Sequence, residues 1–423
     1  MIITMMLVFF VLLFLGIPVA LAMGIGAVSA LLMDPSLPGF VMVQTMHNAM
    51  NSFALMAIPF FMLAGQLMEH TGITRSIVQF ADSIVGHIKG GLGHTVMVTG
   101  ILLAGVSGSS NADASAIGSM MVPTMITSGY DEGFTCNVVA TSSALGPIIP
   151  PSITAVIYCS VASITVAEVF MAGYIPGFII AALCMAVCYI YAKKRGLSSH
   201  KFLGVKNVLS SLYHGLPALM LPIIIIGGIL SGVFTATEAG VMACVYAIAY
   251  GFITKNIDLK TFKECLLNAG INTAVPLFII GIANVFGVIL TRNNLSAILS
   301  GFITGITDSP YVFLGLVAIL LLFLGMFIDA TATMLMLVPI LTPMLEIYGI
   351  NPLHFAMVFL ISLEAGGLTP PVGLTLYIVC STSGVPFRKC VKWAWVFTGI
   401  MYAVVAAVIF FPAIVTFIPN LVL

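Results

Sequence analysis

Long apolar runs separated by short polar breaks set the pattern of this chain. Residues 165–191, 212–234, 236–254 and 264–290 each offer enough apolar positions for a helix to cross a bilayer, which takes about 20 residues. Residues 134–160, 352–380 and 393–420 read the same way. The runs are continuous rather than alternating, so helices are expected and a β-barrel is not. Residues 2–33 are one apolar stretch interrupted near Gly16 to Pro18, either two short crossings with the N-terminus outside or one tilted helix.

Two stretches break the pattern. "AGVSGSSNADASA" (104–116) and "GMFIDATAT" (325–333) place serines, threonines, an asparagine and two aspartates between apolar helical runs, 92–106 with 112–128 and 311–326 with 331–346. Non-helical backbone at membrane depth is tolerated only where protein buries it or water lines it. Each stretch is therefore expected to be the tip of a re-entrant helical hairpin, 91–128 and 310–347, facing a cavity.

Composition narrows the class. Of 423 residues, 61% are apolar and 7% charged, against roughly a quarter charged in soluble domains. The fold class expected is an all-α polytopic membrane protein with about ten crossings plus the two hairpins. Fourteen basic and fourteen acidic residues leave no net charge, so nucleic acid is not an expected partner. There is no phosphate-loop motif and no H-E-x-x-H, so an ion gradient rather than ATP hydrolysis in this chain is the expected energy source. The eight cysteines form no C-x-x-C pair and read as small buried residues rather than a metal or redox site. No nucleophile and base come together in the sequence, so an enzyme is not expected.

Positive charge orients the chain. With "AKKRGLSSHKFLGVK" (192–206) placed in the cytoplasm, the loops carrying Lys255, Lys260 and Lys263, and Arg388, Lys389 and Lys392, fall on the same side. Arg75 and Lys89 join them, leaving only Arg292 outside. This holds only if both hairpins enter and leave on one side.

The hairpins belong to a repeat. "AIPFF" (57–61) matches "AVPLF" (274–278), "NADASAIGSMMVP" (111–123) matches "FIDATATMLMLVP" (327–339), and "LGPIIPPS" (145–152) matches "AGGLTPPV" (365–372), at offsets of 217, 216 and 220. Five crossings separate the tips, an odd number, so the halves 1–210 and 211–423 are expected to be inverted, a recurring plan of secondary transporters. The first half comprises scaffold helices, a cytoplasmic arm at 70–90, hairpin 91–128 and a broken helix at 134–160. The second comprises scaffold helices, a periplasmic arm at 291–308, hairpin 310–347 and a broken helix at 352–380. A channel or passive carrier, with the tips as a filter, is the rival reading; a scaffold without transport activity is another.

The paired prolines supply the chemistry. Pro-Pro in "GPIIPP" and "GGLTPP" removes two backbone donors and frees carbonyls of the preceding turn, which with nearby hydroxyls can hold Na⁺. For one ion the candidates are Ser107, Ser110 and Asn111 with carbonyls around Gly146, Ile149 and Pro150. For a second they are Asp329 and Thr333 with carbonyls around Gly325, Gly366 and Thr369. Two or more coupling Na⁺ ions are expected. Helix N-termini after the tips favour a carboxylate, and Ser109, Asn111, Asp113 and Thr331 are the candidates to contact it. Asp113 and Asp329 occupy equivalent repeat positions and could instead cap the helices that follow. Glu238 and Glu364, flanked by apolar residues, read as acids held by structural hydrogen bonds.

"SGSSNADASAIGSMMVP", "LGPIIPPS", "GMFIDATATMLMLVPILTPM" with "YGINPLHF", and "GGLTPPVGLTLYIV" together resemble the large membrane subunit of the tripartite ATP-independent periplasmic (TRAP) transporters over essentially the whole chain. The resemblance implies an elevator-type permease of a bacterial inner membrane with two Na⁺ sites at the tips and broken helices. It also implies two partners, a small four-helix membrane subunit and a periplasmic substrate-binding protein. The substrate it implies is a small organic anion, with sialic acid favoured over a C4-dicarboxylate.

Overall fold

The computed structural model describes all of the chain except residues 34–37, 198, 200, 201, 294–304 and 306. The described residues fold as α-helices with one short 3-10 turn and no strand. The periplasmic arm expected at 291–308 lies largely outside them.

Residues 2–33 form two helices, α1 (Ile2–Phe14) and α2 (Val19–Met33), broken where Gly16 takes φ +80. They pack on each other through Gly26, where an added Cβ would lie 3.1 Å from the Met5 carbonyl. The tilted-helix alternative is thereby excluded. α3 (Gly39–Met50) was not expected, because Gln44, Thr45, His47 and Asn48 dilute its apolar face. It is followed by α4 (Ala57–His70) and α5 (Ile73–Val85), the latter burying Ile73, Ile77 and Ala81 at four-residue spacing on one face.

Next come α6 (Gly91–Ser107) and α7 (Ser110–Thr127), joined by the two-residue turn Gly108–Ser109. The run at 134–160 is two helices, α8 (Glu132–Ser143) and α9 (Ile153–Ala162), interrupted over the paired prolines. α10 (Val166–Arg195) ends as electrostatics favours, with Lys193, Lys194 and Arg195 in its last turn and Gly196 at φ +64 as its cap. α11 (Val205–Leu230), α12 (Ala236–Ile253) and α13 (Leu259–Arg292) follow. α12 starts with a capping box in which Glu238 accepts from the Thr235 backbone N–H at 2.8 Å. Glu238 therefore has the structural role read for it.

The second half repeats the plan: α14 (Pro310–Gly325), α15 (Ala330–Tyr348), α16 (Pro352–Gly366) and α17 (Leu374–Ser383), with the 352–380 run broken over Pro370–Pro371. Residues 393–420 depart from the single crossing expected. They lie in α18 (Phe387–Phe410) and α19 (Ala413–Val422), which part at Phe411–Pro412, where proline cannot supply the amide a continuous helix needs.

Six of these helices are long and apolar enough to cross a membrane by themselves: α10, α11, α12, α13, α15 and α18. Crossings assembled from two short segments, such as α8 with α9, do not meet that length.

Packing exchanges elements between the halves. α7 lies on α17 of the second half, where Gly118 leaves only 3.1 Å between an added Cβ and Thr382 Oγ1. Reciprocally, α15 lies on α9 of the first half. A separate set forms around α4 and α12, held by Thr237 Oγ1 donating to the Phe53 carbonyl at 2.9 Å and by Gly240 against Phe60.

Candidate functional site

The first tip is built by its own hydroxyls. Gly108 turns at φ +60, and a Cβ there would stand 2.9 Å from the Pro151 carbonyl, so the tip can press against the proline-broken segment only with glycine at this position. Ser107 Oγ donates to Asp113 Oδ1 at 2.6 Å. Ser109, the N-cap of α7, makes no side-chain cap bond, so first-turn amides of α7 are left for other acceptors. Asp113 is 1% exposed and its Oδ2 has no hydrogen-bond partner among the described residues. That oxygen is pressed toward Gly146, where an added Cβ would come within 2.9 Å of it. A buried carboxylate oxygen without a donor is costly, and a cation offsets that cost.

Across from it, the broken segment offers oxygens. Ser152 Oγ donates to the Pro147 carbonyl at 2.8 Å and accepts from Ala155 N–H at 3.1 Å, starting α9. The carbonyls of Gly146, Ile149 and Pro150 accept no backbone hydrogen bond among the described residues; for Gly146 the helical donor would be residue 150, a proline without an N–H.

The second tip has the same parts in another register. Asp329 is the N-cap of α15, accepting from Thr331 N–H at 2.9 Å. Asp113, its partner in the sequence repeat, sits inside the first turn of α7 and does not cap. The capping alternative therefore holds for Asp329 alone. Thr333 Oγ1 donates to the Asp329 carbonyl at 3.1 Å. Gly325 and Gly366 meet backbone to backbone, an added Cβ on Gly366 falling 2.7 Å from Gly325 Cα. Thr369 N–H donates to the Gly366 carbonyl at 2.9 Å, while its hydroxyl donates to the Ala365 carbonyl at 2.7 Å and pairs with Thr398 at 3.1 Å. Gly373 N–H donates to the Met326 carbonyl at 3.2 Å, fastening this tip to its broken segment.

Glu364 keeps part of the hydrogen-bonded role read for it, through the Ser110 hydroxyl, but one of its oxygens is left over. It is 3% exposed, and its Oε1 has no partner among the described residues. Its carboxyl lies beside the Ser110 hydroxyl, so an acid of the second broken segment reaches the first tip.

Both tips open on one cavity of about 560 Å³. Ser107, Ser109, Asn111, Asp113, Asp329 and Thr331 line it; Ser110, Gly146, Ile149, Pro150, Gly325, Thr333, Gly366 and Thr369 are not among its lining residues. The facing wall comes from α4, the start of α5 and the middle of α13, with Gln66, Glu69, Thr74 and Asn272 as its polar groups. Sequence reasoning missed these four. The available signal was a lone polar residue within an apolar run, as in "MLAGQLME" and "AGINTAVP". No lysine or arginine lines the cavity among the described residues.

Residues 6–414 match the family described as "Tripartite ATP-independent periplasmic transporter, DctM component". The chain belongs to this transporter family. It is similar to the sialic acid TRAP transporter large permease protein SiaM of Vibrio cholerae, at 37% identity over 97% of this chain and 96% of the relative. It is also similar to the C4-dicarboxylate TRAP transporter large permease protein DctM of Pseudomonas aeruginosa, at 34% identity over 93% and 92%. In fold it resembles the YdaH transporter of Alcanivorax borkumensis, with a TM-score of 0.66 at 12% identity over 87% of each chain. The protein is therefore a TRAP permease, a multi-pass inner-membrane protein rather than an enzyme.

Proposed function

We propose that this TRAP permease couples inward flow of Na⁺ to uptake of a carboxylate-bearing organic anion, with sialic acid as the substrate. The observation that carries the reading is a cavity with acidic and neutral polar walls and no basic side chain among the described residues. An anion entering it meets Glu69, Asp113 and Asp329, so its charge must be met by helix N-termini and by co-bound cations. Neither ligand binds well alone, which is the thermodynamic basis of symport.

Na⁺ suits the donor sets. Asp113 Oδ2 is an unpartnered buried oxygen beside Gly146, and the carbonyls of Gly146, Ile149 and Pro150 point to no backbone donor. Hard oxygen ligands of this kind favour a hard cation. Ser107 and Ser110 complete the first set, and Asp329, Thr333, Thr369 and the carbonyls of Gly325 and Gly366 form the second. Ser109, Asn111, Asp113 and Thr331 then face the substrate, with the first-turn amides of α7 directed at its carboxylate.

The packing supports transport by an elevator. The hairpins with α8, α9, α16 and α17 form one body, the set around α4 and α12 another, and the cavity lies on their boundary. Movement of the first body would carry the site across the membrane, the two halves acting as an inverted repeat. A small membrane subunit steadies the second body, and a periplasmic binding protein delivers substrate.

Sialic acid is preferred because SiaM of Vibrio cholerae matches at 37%. The DctM relative at 34% makes a C4-dicarboxylate the alternative. Liposomes holding the permease with its small subunit, supplied with a binding protein for each anion in turn, separate these. Accumulation of sialic acid against its gradient supports the proposal; accumulation of succinate alone replaces the substrate; equilibration without accumulation indicates a passive carrier.

A further inference from the structure

Three cysteines far apart in sequence meet in the fold. Cys136 of α8, Cys380 of α17 and Cys390 of α18 bring their sulfurs within 4.8 Å of one another, with Cys380 Sγ and Cys390 Sγ 3.4 Å apart. They are 0%, 4% and 0% exposed. Among the described residues this is the one place where three potential metal ligands of the histidine, cysteine or acidic type converge. The other five cysteines are buried outside this cluster.

The geometry suits a metal. A tetrahedral zinc ion with Zn–S bonds of about 2.3 Å holds its sulfurs about 3.8 Å apart, longer than the 3.4 Å between Cys380 and Cys390 and inside the 4.8 Å within which all three sulfurs lie. Ser383 Oγ stands 3.9 Å from Cys136 Sγ and offers a fourth ligand position. The surrounding shell is ordered: Asn137 Nδ2 donates to the Cys390 carbonyl at 2.9 Å and to the Gly133 carbonyl at 2.8 Å, tying α8 to α18 at the level of the thiols. The cluster lies one helical turn beneath an exposed ion pair, Lys389 Nζ to Glu132 Oε2 at 2.8 Å, because Cys136 follows Glu132 by four residues and Cys390 follows Lys389 directly. The same end carries Arg388, Lys389 and Lys392, placing the thiols near the cytoplasm, where they stay reduced.

We propose that Cys136, Cys380 and Cys390 form a binding site for a soft d10 cation of the Zn²⁺ class. Each thiol loses its proton to solvent as its sulfur–metal bond forms, and no electron is transferred. Because Cys136 belongs to the first half and the other two to the second, the bound ion staples the halves together at their cytoplasmic end, and it needs no part of the Na⁺ or substrate site.

The test uses the full-length permease in detergent, reduced and stripped with a chelator, with Cd²⁺ as probe. The expected result is a thiolate-to-cadmium charge-transfer band saturating at one equivalent per chain, displaced by Zn²⁺, with a rise in Tm. Cys380→Ser and Cys136→Ala should each weaken Cd²⁺ affinity at least tenfold, while Cys184→Ser and Cys265→Ser leave it unchanged. Should a single variant misfold, N-ethylmaleimide labelling of the wild type reads the same point, Cd²⁺ protecting three thiols. Absence of the band, its persistence in both cluster variants, or formation of a Cys380–Cys390 disulfide with no Cd²⁺ uptake overturns the assignment.

Discussion

Ser107 Oγ donates to Asp113 Oδ1 at 2.6 Å, and this one bond fixes a carboxylate whose second oxygen is left buried and unpartnered against Gly146. Under the proposed symport that second oxygen serves Na⁺. Asp113→Asn keeps the shape and removes the charge. Loss of a charged ligand of this kind is worth about 1.5–3 kcal/mol, so half-saturating Na⁺ for uptake should rise roughly tenfold or more, with abundance in the membrane unchanged. Ser107→Ala should produce a smaller shift in the same direction.

The second tip depends on close backbone approach. Gly366→Ala places a methyl 2.7 Å from Gly325 Cα and 2.9 Å from the Leu322 carbonyl, neither of which is a side chain that can turn away. Overpacking of this kind costs about 1–3 kcal/mol. Thermal unfolding of the purified protein should show a lowered Tm. Gly315→Ala, whose Cβ meets nothing within 4 Å, should show none or a small gain from helix propensity.

Glu364 joins the first tip to the second broken segment, and one of its oxygens has no partner among the described residues. An intramembrane acid in that position is a functional residue by default. Glu364→Gln is expected to leave Tm within about 2 °C of wild type, since a change of under 1 kcal/mol moves Tm by no more than a few degrees. Uptake should fall several-fold. Unchanged uptake would leave Glu364 with a structural role alone.

α6 meets α11 where a Cβ on Gly105 would stand 2.8 Å from Pro222 Cβ, across the boundary on which the proposed elevator would slide. In a background otherwise free of cysteine, Gly105→Cys with Pro222→Cys is expected to form a disulfide after a small adjustment, since bridged Cβ atoms lie about 3.5–4.5 Å apart. The cross-link should abolish uptake, and reductant should restore it. Full transport by the cross-linked protein would rule out sliding at this boundary.

The parts of the fold legible in the sequence are those that chain chemistry dictates locally. Paired prolines had to break the helices at 145–152 and 365–372, since their amides are missing, and both breaks are present. Long apolar runs had to become long helices. α3 stayed hidden because its polar residues blur its face, and the single crossing expected at 393–420 ran past Pro412. The two aspartates show the limit at the site. They stand at matching positions of two similar stretches of sequence, but α7 begins three residues before Asp113 while α15 begins just after Asp329, so one accepts a hydroxyl and the other caps. Gln66, Glu69 and Asn272 enter the cavity only because α4 and α13 happen to face it, which tertiary packing decides. The three-thiol cluster joins residues 136 and 380 with no local spacing to announce it.

The interdependence of cation and anion is tested most directly by Na⁺-dependence of uptake in liposomes holding the complete transporter. Replacing external Na⁺ by choline at constant ionic strength and membrane potential should abolish accumulation of the anion, and a Na⁺ titration should rise with a Hill coefficient above 1. Accumulation that proceeds equally in choline contradicts Na⁺ coupling.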